Sequence, residues 1–177
     1  MSENASAQVE KPASKVILAK IVLNIAPGKS GEMVERAGKV LDTLTAQKPS
    51  QRKAKKTIRD FGIHQGEPIA VVVTVRKEKA GEVLKNLLLA KSNVLNESSF
   101  DEMGNVAFGI KEHIDIPGVR YDPNVGIFGM DVCVSLEKQG LRVGRRRRAQ
   151  ARAGREQRVT KEEAVAYFRK TFNVEIK

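Results

Sequence analysis

Apolar residues along the chain fall into two rhythms, one of period two and one of helical spacing. In residues 16–25 (VILAKIVLNI), alternation puts Ile17, Ile21, Leu23 and Ile25 on one face of a strand and Lys20, Val22 and Asn24 on the other. Residues 69–76 (IAVVVTVR) read as a central strand. In residues 105–116, Val106, Phe108, Ile110, Ile114 and Ile116 point one way, and Asn105, Ala107, Gly109, Lys111 and His113 the other. In residues 129–137, Met130, Val132, Val134 and Leu136 alternate with Asp131, Cys133 and Ser135. The basic segment 50–59 (SQRKAKKTIR) reads as extended, an edge strand, and residues 60–67 as a glycine-punctuated loop.

Helical spacing appears three times. After the turn at residues 26–29, Ser30 can cap a helix whose stripe is Met33, Val34, Ala37, Val40, Leu41 and Leu44, stopped by Lys48-Pro49. A second helix from about Glu78 carries Ala80, Val83, Leu84, Leu87 and Leu88. Thr160-Lys161-Glu162-Glu163 is a capping box that opens a last helix with Ala164, Val165 and Phe168 toward the core. Residues 92–103 read as irregular. The order β–α–β–β–α–β–β–α predicts an α+β fold, a largely antiparallel sheet with helices packed on one face and the other face free. Residues 1–14 read as a disordered arm, and residues 15–177 as a single domain with a basic extension at 138–159.

Charge turns this plan toward a partner. The 32 Lys and Arg against 21 Asp and Glu give +11, a balance that suits a polyanion whose condensed counterions are released on binding. Between Arg142 and Arg158 stand eight arginines and one acid, Glu156, so +7 of the +11 is concentrated there. Arg145, Arg146, Arg147 and Arg148 are consecutive, and a guanidinium fork suits phosphates and stacked bases. The free sheet face would carry Lys20, Val22, Asn24, Ala70, Thr74, Arg76, Asn105, Ala107, Gly109, Lys111, Asp131, Cys133 and Ser135. These side chains are small, polar or basic and none is aromatic. Such a face fits folded RNA read by shape and riboses better than single strands held by stacking; an ordinary solvated sheet face is the alternative.

Other chemistries find little support. Gly28-Lys29-Ser30 sits between a strand and a helix as in a P-loop, but the glycine that motif needs five residues earlier is Leu23. His64, His113 and Cys133 are the soft metal ligands, and none stands in a paired spacing, so neither metal nor cofactor is expected. One cysteine allows no intramolecular disulfide and suits a reducing cytoplasm. No apolar run approaches the roughly 20 residues of a membrane helix, and the polar start is not expected to be a signal peptide.

Several stretches together resemble the universal large-subunit ribosomal protein five family in its archaeal and eukaryotic form. They are Val22-Leu23-Asn24-Ile25 with Gly28, Ser30 and Gly31; Lys39-Val40-Leu41, Leu44-Thr45 and Gln47-Lys48-Pro49; Lys53-Ala54-Lys55-Lys56; Asp60-Phe61-Gly62-Ile63; and Val73-Thr74-Val75-Arg76. The most specific is residues 104–123 (GNVAFGIKEHIDIPGVRYDP), followed by Gly129-Met130-Asp131-Val132. The turn at residues 26–31 departs from the family's usual Gly-x-Gly-Glu-Ser-Gly. The resemblance implies a non-enzymatic, cytoplasmic ribosomal protein that binds 5S rRNA in the central protuberance. It also implies contact with peptidyl-site tRNA and a bridge to small-subunit ribosomal protein thirteen, with no homo-oligomer. Family contacts to 5S rRNA carry over onto Asn24, Gln47 and Thr74.

Lys20, Arg76, Asn105, Lys111 and Arg145, Arg146, Arg147 and Arg148 complete the expected rRNA set, the arginine tract running into neighbouring large-subunit rRNA or tRNA. The loop at 53–66, with Lys53, Lys55, Lys56, Arg59, Phe61 and Ile63, is the expected tRNA contact; alternatively Phe61 and Ile63 fold back over the sheet edge. A free-standing RNA chaperone or regulator is the competing reading, separable by co-sedimentation with large subunits at high salt.

Overall fold

The computed structural model describes residues 15–28 and 30–177, so the expected arm at residues 1–14 lies outside the described residues. Its strands are β1 (Val16–Ile25), β2 (Ser50–Lys53), β3 (Pro68–Val75), β4 (Val94–Leu95), β5 (Asn105–Ile110), β6 (Met130–Lys138) and β7 (Glu175–Ile176). Five of them form one antiparallel sheet in the order β2-β3-β1-β6-β5. Helices α1 (Glu32–Thr45), α2 (Glu78–Ala90) and α3 (Lys161–Phe172) complete the expected α+β architecture. The helix α1 lies against β3, and α2 and α3 against β1.

Packing follows the period-two pattern. Ile21, Leu23, Ile25, Val71, Val73, Val75, Val106, Phe108, Ile110, Val132 and Val134 are all buried. They meet Val34, Ala37 and Leu41 of α1, Ala80, Leu84 and Leu87 of α2, and Ala164 and Phe168 of α3 in one contiguous core. Burial of this apolar surface, at roughly 25 cal/mol per Å², is the main drive holding helices to sheet.

Four local features differ from the pattern reading. First, the register of β1 against β6 shifts between Leu18 and Lys20. This bulge reverses the parity of the strand, so Ile17 pairs with Glu137 and is exposed, while Leu18 takes the core side opposite Leu136. A bulge inserts one residue into one strand only, and alternation alone does not register it. Second, α1 begins after Gly31, whose φ of 92° favours glycine, and no side chain caps it; Ser30 is not the cap. Third, β5 stops at Ile110, and a 3-10 turn at His113–Asp115 buries His113 rather than leaving it on the open face. The His113 backbone N–H donates to the Phe128 carbonyl at 3.0 Å, and the Phe128 N–H donates to His113 Nδ1 at 3.2 Å. Fourth, β4 and β7 form a small parallel pair, where residues 92–103 read as irregular. Two-residue strands are too short to show a period.

Candidate nucleic-acid interface

The strand registers set the open face of the sheet out in rows. Ser50, Val72, Asn24, Asp131 and Gly109 stand side by side across all five strands. The next row holds Thr74, Val22, Cys133 and Ala107, and a third Lys20, Ser135 and Asn105. Among the described residues no helix covers these rows: Thr74, Ala107, Gly109, Asp131 and Cys133 are exposed, and Lys20, Val22, Asn24, Asn105 and Ser135 half-buried. Of the thirteen positions expected there, Ala70 alone is buried.

Polar groups on this face are fixed by one another. The Asn24 amide Nδ2 donates to Asp131 Oδ2 at 3.4 Å. The Ser135 hydroxyl donates to Asn105 Oδ1 at 3.1 Å, and Asn105 Nδ2 reaches Asp101 Oδ2 at 3.4 Å. Lys20, Asn105, Cys133 and Ser135 line a shallow depression of about 470 Å³. A carboxylate in mid-face repels phosphate but accepts hydrogen bonds from ribose hydroxyls and base amino groups. Positive charge sits at the margin instead. Arg52 occupies the edge strand opposite Ala70, Arg76 and Lys111 are exposed just past the ends of β3 and β5, and Lys20 stands in the third row. The centre of the face therefore carries uncharged and acidic polar groups, and the rim carries the cations.

Gln47 is half-buried in the link between α1 and β2, just past the left-handed residue Ala46. Three residues later Ser50 opens β2 and enters the first row. Ser50 and Arg52 belong to this face and were missed by the pattern reading. Alternation could not assign them, because all four residues of Ser50–Lys53 are polar and exposed, and only the pairing with β3 sets their face.

Between β2 and β3 the chain projects as a pinned hairpin. The Ala54 N–H donates to the Glu67 carbonyl at 2.8 Å, and Ile58 and Ile63 exchange backbone bonds of 2.9 and 3.1 Å. Gln65 N–H donates to Thr57 Oγ1 at 3.0 Å. Lys53, Lys55, Lys56 and Arg59 are exposed on this hairpin. At its tip a 3-10 turn (Arg59–Phe61) closes on Gly62, and Phe61 is 72% exposed, so it does not fold back over the sheet edge. Ile63 is half-buried against the stem. With Phe61 at the tip and Ile58 43% exposed on the stem, the hairpin carries apolar surface outside the core.

The arginine tract leaves from the end of β6. Arg145, Arg146, Arg147 and Arg148 are all exposed. Arg145 pairs with Glu137, Arg146 Nε donates to the Ala149 carbonyl at 2.7 Å, and Gln150 Nε2 to the Gly144 carbonyl at 2.6 Å. Among the described residues no three His, Cys, Asp or Glu side chains gather in a metal-holding group. No helix there is long and apolar enough to cross a membrane.

Fold and surface together define an α+β sheet platform, open on one face, basic at its rim and extended by a hairpin and an arginine loop. A family profile for ribosomal protein L5 matches residues 12–64, and one for the C-terminus of the same ribosomal family matches residues 68–167. The large ribosomal subunit protein uL5 of Pyrobaculum aerophilum is 52% identical over 165 residues, 93% of this chain and 92% of that protein. Its counterpart in Sulfurisphaera tokodaii is 48% identical over 173 residues, 97% of this chain and 98% of that protein. That of Archaeoglobus fulgidus is 52% identical over 159 residues, 90% and 89% of the two chains. The chain belongs to the ribosomal protein L5 family.

Proposed function

We propose that this protein is a structural constituent of the cytoplasmic large ribosomal subunit, without catalytic activity, and that it binds 5S rRNA with the open face of its sheet. The observation that carries the reading is the composition of that face. The described positions of that face hold no aromatic side chain, and their larger aliphatics are Val22, Val72 and, beyond the bulge, Ile17, while hydrogen-bonded Asn, Asp and Ser groups stand inside a basic rim. Asn24, Gln47 and Thr74 make the central 5S contacts, with Lys20, Arg76, Asn105 and Lys111 around them. Arg145, Arg146, Arg147 and Arg148 enter neighbouring large-subunit rRNA. The hairpin at residues 53–66 faces peptidyl-site tRNA, with Phe61 at its tip and Lys53, Lys55, Lys56 and Arg59 along its stem. Residues 15–177 act as one RNA-binding domain, monomeric, which helps attach 5S rRNA in the central protuberance and bridges to small-subunit ribosomal protein thirteen.

Shortening the hairpin between Ala54 and Gln65 separates the two RNA contacts. The expected result is unchanged 5S rRNA binding by the purified protein and faster release of peptidyl-site tRNA from ribosomes that carry the variant. An unchanged tRNA off-rate would assign the hairpin some other task. Loss of 5S binding would move the 5S surface off the sheet.

A further inference from the structure

Lys138 is the last residue of β6, and the side-chain alternation of that strand puts it in the stripe of Met130, Val132, Val134 and Leu136, toward the helices. Its side chain is only 9% exposed. An ammonium group in such a position needs partners to offset the water it has lost, and it has two. Its Nζ lies 2.8 Å from Glu163 Oε1 and donates to the Glu156 carbonyl at 3.2 Å. Glu163 is the same residue that closes the α3 capping box, its Oε2 accepting from the Thr160 N–H at 3.1 Å. One ammonium therefore joins the end of β6, the turn at Arg155–Gln157 and the first turn of α3.

Everything between these ties is the arginine loop. Residues 139–155 hold seven arginines and no acid, so the segment repels itself and, untied, would spread. The preceding residue supplies a second tie: Glu137 points to the opposite face of β6 and pairs with Arg145. Adjacent residues of one strand thus hold the outgoing and the returning arm of the loop, one from each face of the sheet. The neck is tightly packed as well. Val159 is 3% exposed, and a Cβ at Gly104 would stand 2.6 Å from its side chain, so only glycine fits beneath it.

We propose that Lys138, with Glu163 and the Glu156 carbonyl, is a buckle that closes the arginine loop before RNA arrives. Lys138 is a positioning residue for RNA binding and touches no RNA itself. The proposal rests on the reading of the arginine tract as an RNA contact and adds that its geometry is set in advance by the fold. A preformed loop avoids the cost of ordering its long side chains on binding. Losing the buckle changes that ordering cost but leaves the number of phosphate contacts as it was.

The test uses Lys138→Met, which keeps an unbranched apolar stem, and Glu163→Gln, which keeps the size of the capping residue. Hydrogen exchange on the RNA-free protein reads the buckle: the amides of Arg145, Arg146 and Ala151, all hydrogen-bonded within the loop, should exchange faster in both variants, with the sheet unchanged. Affinity for a large-subunit rRNA fragment carrying the 5S site should fall roughly threefold to tenfold, the scale of ordering one or two long side chains. The slope of log affinity against log salt should stay the same, because that slope counts neutralised phosphates. Unchanged loop exchange in both variants overturns the buckle, as does faster exchange with unaltered affinity. A reduced salt slope overturns the positioning role, because Lys138 would then itself meet phosphate. Failure of the underlying reading looks different: replacing Arg145, Arg146, Arg147 and Arg148 together by Gln would leave affinity and slope untouched while the exchange result stood.

Discussion

The two faces of the five-stranded sheet are made by the same strands, residue by residue, yet they obey opposite rules. On the helix side, Leu23, Val73 and Val132 sit side by side at 0 to 4% exposure. One position along each strand, Asn24, Thr74 and Asp131 stand on the other side with polar groups turned outward. The difference teaches that burial is assigned here by parity, and that the polar face is left uncovered by the architecture. A sheet that had to bury both faces would need helices on each, and the three helices described go to one.

The largest contrast is in stability. Leu23→Ala removes a fully buried side chain and should cost about 2–5 kcal/mol in denaturant unfolding, whereas Asn24→Ala next to it should change stability by less than about 0.5 kcal/mol. Comparable losses from the two would mean that the faces are not distinct in packing. RNA binding should reverse the ranking. Asn24→Ala and Thr74→Ala should each weaken 5S rRNA binding by about 1–2 kcal/mol, the scale of a hydrogen bond to a charged or polar partner lost from a desolvated surface. Normal binding by both variants, with their folds intact, would remove the sheet face from the RNA interface.

The smallest effect belongs to the helix side, and pH reads it. The Lys161 ammonium, 2.8 Å from Glu97, holds that exposed carboxyl below the ordinary glutamate value of 4.5. A depressed folded value contributes stability that is present above the unfolded value and lost as pH falls through the folded one. Lys161→Ala should therefore bring the Glu97 titration, followed by carboxyl NMR shifts, back up toward 4.5, with 5S rRNA affinity at neutral pH unmoved. A change in affinity would show that the helix side also meets RNA.

How much of this was legible in the sequence follows from the range of each interaction. The helices, four of the five sheet strands and the α3 capping box could be read because period and caps are local. The edge strand β2 was legible as extended, but its register came only from pairing with β3, so Ser50 and Arg52 were not placed on the open face. Ile17 was assigned to the core because a bulge at the β1–β6 pairing leaves no mark in a single strand's alternation. His113 was placed on the open face because β5 was read past its end at Ile110, and the bond that fixes the turn beyond it comes from Phe128, fifteen residues away. Lys138 was read only as the start of the basic extension at 138–159; its burial rests on Glu156 and Glu163, which only the fold brings to it. Asn24 and Thr74 were reached by parity alone, whereas Gln47, at a helix end, needed resemblance.

Cys133 offers the most direct test of the claim that the open face is the RNA surface. It is the single cysteine of the chain, exposed in the middle row between Val22 and Ala107. A thiol-alkylating reagent therefore reports on one point at the centre of the proposed interface. In the protein saturated with 5S rRNA, alkylation of Cys133 should slow markedly, because bound RNA covers the thiol and blocks the reagent's approach, and an unrelated RNA at the same concentration should give little protection. Alkylation at the rate of the RNA-free protein, in a complex shown to be saturated, would contradict the account.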